Sequence, residues 1–532
     1  MDLMSRFREW QARPGGGLVV GLGGAAVILC MIAIVGAFGI GHDRVETQLD
    51  AASGSAPTTI PSDAAVTDIT LAPVEGEALP EGGPAAMVPG GAPAPRATVA
   101  PRAGGASPPG GAAAPAGGSQ PAGGAGAAPT ASAPGETRVG VSATEIKWAV
   151  HAPVTFDGAP LNLAEDPIEG LGYYVRYVNE NGGINGRKIK MTGPEKGVYD
   201  DRYTVDGAKQ AADAINGDQP FFVSGTLGVD QIAVIAAEAR KRGYPYLAAG
   251  GSEEPFKSIG MFQIAASYDT HLQRLAQFLG KEVQKPDSPY FNRKKIGVTR
   301  LNSDYIKPAV EVSFRNALQA AGLTLTKVVT INKPTEQTSY ASQISDLKNA
   351  GVEVVVPAQD PISTSRMVAE CATQQCGWKW SVSDFAHESD TALALMGGTW
   401  AGVRGLAGGC YYLSENAYKP EFCGAMNRAH EEWVAMDADK EDGWKKDGQG
   451  GASAYQIVHI WLTALRSLGG DPTREKLVAA LNNQENFSDL VSSPITYKGS
   501  PNIAHGAEGM VVYEAQPNVT WKQLTPGFVN SF

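Results

Sequence analysis

From about residue 139 onward, short apolar runs alternate with stretches of helical spacing, and this rhythm limits the possible folds more than any other feature. The runs at 146–150 (IKWAV), 188–191 (KIKM), 221–225 (FFVSG), 244–251 (YPYLAAGG), 295–300 (KIGVTR), 323–331 (LTLTKVVTI) and 352–359 (VEVVVPAQ) have the length of strands. Between them, 170–181 places Leu171, Tyr174, Val175 and Val178 on one helical face. Helices are also expected at 205–215, 230–242, 270–283, 305–321 and 340–350. Short strands rich in Val and Ile, each followed by a helix, predict an α/β fold of parallel sheets covered on both faces.

Residues 179–191 (NENGGINGRKIKM) crowd three glycines between two such elements. A dinucleotide-binding loop has its glycines after a strand and before a helix, where the helix N-terminus meets phosphate. Here the order is helix, glycines, strand. Gly182 is therefore expected as a left-handed helix cap and Gly186 as a turn residue.

The amino-terminal quarter has another composition. Residues 15–41 carry no charge, and 18–40 are mostly Val, Leu, Ile, Ala and Gly. Such a run can cross a bilayer core of roughly 30 Å as a helix. Arg6, Arg8 and Arg13 precede it and only Arg44 follows closely, so residues 1–14 are expected in the cytoplasm. The run exceeds the roughly 7–15-residue apolar core of a signal peptide, which favours an uncleaved anchor; cleavage after Ala37, with secretion, is the alternative. Residues 42–137 are dominated by Ala, Pro, Gly, Ser and Thr. That composition buries too little apolar surface to offset ordering entropy and predicts a disordered linker.

Charge and motifs exclude several functions. A net charge of −11 leaves no excess cation to displace counterions from nucleic acid. No H-E-x-x-H, G-x-S-x-G or Walker loop occurs, and the seven histidines are dispersed, so neither an enzyme nor a cofactor or metal site is expected. Residues 437–448 (DADKEDGWKKDG) approach a calcium loop, but the glycine is one place late and position twelve is not Glu, which predicts an acidic surface loop. Beyond the apolar run stand Cys371, Cys376, Cys410 and Cys423. An even count in an exported region favours disulfides over metal. Proximity suggests 371–376 and 410–423 among three connectivities.

Several stretches together resemble the type I periplasmic binding proteins, the leucine/isoleucine/valine-binding class that serves ABC importers. NENGGINGRKIKM resembles the family's first helix–turn–strand, and VSATEIKWAVHAPVTFDG its first strand and ligand loop. YDDRYTVDGAKQAAD is similar to its next acidic loop and helix, and FFVSGTLGVDQIAVIAAEARKRGYPYLAAGGSEEPF to its strand, small-residue loop, helix and second ligand loop. KKIGVTRLNSDYIK and SQISDLKNAGVEVVVPAQD resemble parts of the second lobe. The resemblance implies two parallel-sheet lobes joined by three chain crossings, near Gln263, near Tyr411 to Leu413 and just before Gly509. Lobe 1 would comprise 138–264 and 412–508, and lobe 2 would comprise 265–411 with a return at 509–532.

The same resemblance implies ligand contacts from Phe156, Thr226, Leu227, Gly228, Gly250 and Ser252 in lobe 1. Val229 stands where the family carries a hydroxyl. From lobe 2 it implies Tyr305, Asp384 in the position that pairs with a ligand ammonium, and Asp360 where amino-acid binders often carry an aromatic. Two carboxylates without an arginine clamp suit an amine, amide or polyol as readily as an amino acid. The implied function is extracytoplasmic capture of a small polar solute for an ABC importer permease, with the membrane reached through the amino-terminal helix. A membrane-tethered sensory or adaptor module of the same fold is the alternative, although residues 1–14 are too few to fold as a signalling domain.

Overall fold

The computed structural model describes residues 137–532 except 157–158, 161–164, 335, 384–386, 388–389, 411–416, 421, 437–440 and 499–505. The expected membrane helix at 15–41 and the linker up to 136 lie outside the described residues. Among those described, no helix is long and apolar enough to cross a membrane.

Two large sheets follow one another along the chain, with a small antiparallel pair, Thr155–Phe156 and Ala159–Pro160, just after the first strand. The first holds β1 (Glu145–Ala152), β2 (Lys188–Met191), β3 (Val198–Asp200), β4 (Phe222–Gly225), β5 (Tyr246–Ala248) and β6 (Met261–Gln263), in the order β2-β1-β4-β5-β6 with β3 also against β1. Every pairing in it is parallel. The second holds β7 (Lys295–Leu301), β8 (Thr324–Ile331), β9 (Val354–Ala358), β10 (Lys379–Val382), β11 (Arg404–Ala407), β12 (Val511–Ala515) and β13 (Trp521–Gln523), in the order β8-β7-β9-β10-β11-β12-β13. Its last two strands join antiparallel.

The helices between strands include α1 (Glu165–Glu180), α2 (Val205–Asp218), α3 (Asp230–Arg242), α4 (Tyr268–Glu282), α5 (Ala341–Asn349), α6 (Pro361–Thr373), α7 (Met426–Met436), α8 (Glu441–Ser467) and α9 (Arg474–Asn482), and the expected helix at 305–321 is present as the consecutive helical pieces Ile306–Pro308, Ala309–Phe314 and Arg315–Ala320. Strand alternation sends side chains to both faces. Trp148 and Val150 of β1 pack in the core under α1 and α8, while Ala149 between them packs with Ala208, Ala211 and Ile232 of α2 and α3. Likewise Val354 and Val356 of β9 face one core and Val355 the other. Such two-sided burial is why these strands read as continuous apolar runs.

The glycine-rich stretch closes α1. Gly182 and Gly183 have φ of +92° and +69°, and the Gly183 N–H bonds the Val178 carbonyl at 2.9 Å before Gly186 (φ +80°) turns into β2. The described residues begin at Thr137, whose N–H donates to Glu475 at 2.9 Å, and Arg138, which donates to Asp471 at 2.7 Å. The chain leaves the first sheet at Gln263 beside the segment that leads into β12: Ala507 N–H bonds the Ile264 carbonyl at 2.6 Å, and Tyr497 OH bonds that of Gln263 at 2.6 Å. The expected crossing at 411–413 lies outside the described residues.

Two local expectations meet a different outcome. Residues 437–440 of the acidic stretch are outside the described set, but from Glu441 the chain is already helical, as the first turns of α8. The pull of the long apolar segment 452–465, buried along α1, extends the helix into a polar sequence that reads locally as a loop. Cys410 and Cys423 are joined as a disulfide, whereas Cys371 and Cys376 are thiols within hydrogen-bonding reach of each other at the end of α6.

Candidate functional site

The loops at the C-terminal ends of the first sheet are held by buried polar groups. His151, next to last in β1, has Nδ1 2.8 Å from Asp201 and Nε2 2.8 Å from the Tyr246 hydroxyl, and His151 and Asp201 have no exposed surface. With Asp201 ionised, Nδ1–H donates to the carboxylate and the Tyr246 hydroxyl donates to Nε2. Burial pushes the Asp201 carboxyl up, opposed by its bond to His151. Asp200 accepts the N–H groups of Val154, Thr155 and Arg202 at 3.0, 3.1 and 2.8 Å, and Asp201 accepts that of Tyr203 at 3.1 Å.

These bonds fix an unusual turn: Arg202 and Tyr203 both have φ of +53°. Left-handed backbone at two consecutive side-chain-bearing residues is costly and persists where the surroundings over-determine it. Here it sets Tyr203 edge-on against Phe156, with ring centroids 5.5 Å apart.

Thr226 is buried and its N–H bonds the His151 carbonyl at 3.2 Å. Leu227 is half-buried, and Gly228 takes φ of +111°, where a Cβ would collide with Gln231. Val229 precedes α3 without capping it. Gly250 is half-buried, and the buried Ser252 donates from Oγ to the Tyr305 carbonyl at 2.7 Å.

That bond reaches from the first-sheet loops to the loop after β7, and two more do the same. The Ser303 hydroxyl donates to Asp230, the first residue of α3. Lys333, after β8, donates to the Tyr203 carbonyl at 2.8 Å and lies 5.6 Å from that ring's centroid. The strand ends of the two sheets therefore meet.

Asp360 follows β9 and caps α6: its Oδ1 accepts the Ser363 N–H at 2.8 Å. Its Oδ2 is shut off from solvent and has no hydrogen-bond partner among the described residues, although the residue as a whole is partly exposed. Burial pushes this carboxyl up, opposed by Ser363. Burial also drives the Tyr203 phenol far above its usual range, and the group acting on it most is Asp360, followed by Tyr268, Asp230 and Asp201. Arg366, the cation that acts on Asp360, spends Nη1 on the carbonyls of Pro334 and Gln337 at 2.6 and 3.3 Å. Beside Asp360, Gln359 accepts from Thr299 at 2.7 Å and donates to Thr364 at 3.0 Å, and Thr364 is 2.9 Å from His387 Nε2.

Of the residues expected at the site, Phe156, Thr226, Leu227, Gly228, Gly250 and Ser252 occupy the first-sheet strand ends, and Tyr305 and Asp360 those of the second. Asp384 lies outside the described residues. Sequence reasoning did not single out Tyr203, Asp230, Ser303 or Lys333. The one available signal was YDDRY, in which paired aspartates precede the left-handed turn.

No curated protein matches the sequence. Among solved structures, a fatty acid ABC transporter substrate-binding protein from Thermomonospora curvata is 17% identical with a TM-score of 0.59, covering 74% of this chain and 94% of its own. A branched-chain amino acid ABC transporter protein from Thermus thermophilus with bound valine is 15% identical with a TM-score of 0.58 over 73% of this chain and 96% of its own. A leucine binding protein from Thermotoga maritima is 15% identical with a TM-score of 0.56 over 72% of this chain and 99% of its own. At these identities the likeness carries the fold alone, type I in each case. The family described as periplasmic binding protein matches residues 149–518, most of the chain and nearly all of its two sheets. With that match added to its paired parallel sheets and facing strand ends, the chain belongs to the periplasmic binding protein family.

Proposed function

We propose that this protein captures a small polar solute (an amino acid, amide, amine or related compound) outside the cytoplasm and delivers it to an ABC importer, without catalysing a reaction. The reading rests on the facing strand ends, where Ser252–Tyr305, Asp230–Ser303 and Tyr203–Lys333 bridge the sheets, and on Asp360 at the second sheet's strand ends, whose Oδ2 lacks a partner among the described residues. Open α/β sheets take ligands outside the carboxyl ends of their strands. The lobes in this reading are 138–264 with 412–508, and 265–411 with 509–532, and they hinge about the chain crossings. A solute screen by thermal shift on the purified chain tests it, since binding stabilises by RT ln(1 + [L]/Kd), about 2.7 kcal/mol at a hundredfold excess over Kd. The hit should also reduce the radius of gyration in small-angle scattering. Failure of every amino acid, amine, amide, polyol and organic acid to raise the melting temperature would sink the reading.

In the same reading residues 15–41 anchor the protein and 42–137 tether it. The mature chain should then begin at its own amino terminus and stay with membranes after a high-salt wash. Sequencing that starts at Phe38 would identify a cleaved signal peptide instead.

A further inference from the structure

We propose that His459 is an acid-operated release, independent of any solute: neutral, it holds Arg428 as a tie between α8 and the segment 489–492, and protonated, it expels Arg428 and frees that segment.

The cluster lies between α7 and α8 and includes none of the strand-end loops. His459 of α8 and Glu432 of α7 are buried, and His459 Nε2 is 2.8 Å from a Glu432 carboxylate oxygen. With Glu432 ionised, that nitrogen carries the proton and Nδ1 is left as an acceptor. Arg428, one turn before Glu432, supplies the donor, with Nη2 3.1 Å from Nδ1. The same guanidinium donates to Asp489 and to the Tyr455 hydroxyl, and the Tyr455 ring stacks on the imidazole with centroids 3.9 Å apart. From α1, Tyr174 reaches the cluster, its hydroxyl spent on the Ala429 carbonyl at 2.9 Å. The charged groups that act on His459 are Glu432, Arg428 and Asp489.

Arg428 connects this buried pair to the place where the chain leaves the second sheet. Asp489 precedes Leu490 and Val491, whose carbonyls accept the N–H groups of Ala425 and Cys410 at 3.3 and 2.9 Å, and Ser492 bridges to Gly409. Gly409 and Cys410 follow directly after β11. One arginine thus ties α8 to the exit from the sheet.

Protonation reverses the contact. A second ring proton can sit only on Nδ1, where it points at a guanidinium nitrogen 3.1 Å away, donor against donor and cation against cation. The side chains of Arg428 and Asp489 are 43% and 38% exposed, so the guanidinium has room to swing outward, giving up His459 and Tyr455. Burial lowers the His459 pKa, opposed by Glu432 and Asp489 and aided by Arg428. The sign follows from the folded-state pKa lying below the ordinary value of about 6.5. The tie is present above that pH and is lost as pH falls through the folded-state value.

Hydrogen exchange on the full chain, with no solute added, tests this at the Cys410 and Ala425 amides. Protection, corrected for the intrinsic exchange rate, is compared one pH unit or more above and below about pH 6.5 in wild type, His459→Gln and Arg428→Gln. Glutamine at 459 can donate to Glu432 and accept from Arg428, but it gains no proton in this range. In wild type, protection of both amides should fall about fivefold or more in acid, the worth of one hydrogen bond. His459→Gln should keep the same protection at both pH values. Arg428→Gln should show the low, acid-like protection at both, because the tie is already gone. Wild-type protection that does not change with pH overturns the proposal. A fall of equal size in His459→Gln also overturns it, by assigning the acid effect to other groups. Should His459→Gln fail to fold, Arg428→Gln decides alone: wild-type protection above pH 6.5 in that variant overturns the release.

Discussion

Replacing Trp461 with alanine is expected to cost about 3–5 kcal/mol of folding stability, the range for removing a buried indole. Trp461 lies on α8 with 1% of its surface exposed, and its ring centroid is 4.4 Å from that of Phe222 on β4. Its Nε1–H donates to Ser224 Oγ at 2.7 Å, and Trp148 Nε1–H of β1 donates to the same oxygen at 3.1 Å. One serine on the central strand thus satisfies two indoles that would otherwise be buried donors without acceptors. The truncation opens a cavity between α8 and the first sheet and takes away one of the two donors to Ser224. Trp461→Phe keeps most of the volume and loses only the bond, so about 1–2 kcal/mol is expected. Urea denaturation of the two variants checks the order. An alanine variant within about 1 kcal/mol of wild type would mean that α8 does not carry this core.

Gly225→Ala should destabilise by about 3 kcal/mol although it adds one methyl group, combining overpacking with the disturbance of buried hydrogen bonds. Gly225 ends β4, paired with His151 of β1. A Cβ there would fall well inside van der Waals contact with both His151 Nε2 and the Tyr246 hydroxyl. It would therefore push apart the Asp201–His151–Tyr246 chain that ties β1, β3 and β5 together. A second substitution isolates this cause. Tyr246→Phe removes one of the colliding atoms, so the double variant should be less destabilised than the sum of the singles. Additive losses would show that the methyl group acts elsewhere. Solute affinity should fall with stability in the single variant, because the Asp200–Asp201 turn that aims Tyr203 hangs from the same histidine.

The strand–helix alternation was legible because each parallel strand is buried on both faces, which writes it as a short apolar run. Lys188–Met191 and Asp230–Arg242 match their expected limits, with Gly243 (φ +68°) closing the helix. The expected helix at 170–181 in fact starts at Glu165, because its first turn carries an acidic, Pro-containing sequence that local spacing does not mark as helical. A similar limit hid the start of α8, where Glu441 to Gly451 is polar and glycine-rich and gains its helical partners only on folding, from α1 and from Trp433 of α7. The family's motifs pointed to the strand-end loops, and those loops are where Ser252, Tyr305 and Asp360 stand.

What local sequence could not carry is which atoms are already spent. Asp360 reads as a ligand acid or a helix cap, and folding makes Oδ1 a cap while leaving Oδ2 without a donor among the described residues. Ser252 reads as a ligand hydroxyl, yet its Oγ bonds a carbonyl 53 positions away. Lys333 and Tyr203 are 130 positions apart and meet only when the strand ends of the two sheets are brought together. Periodicity reports burial, which each short segment records for itself. Hydrogen-bond pairing between distant loops depends on how the sheets dock, and no segment of this chain encodes that alone.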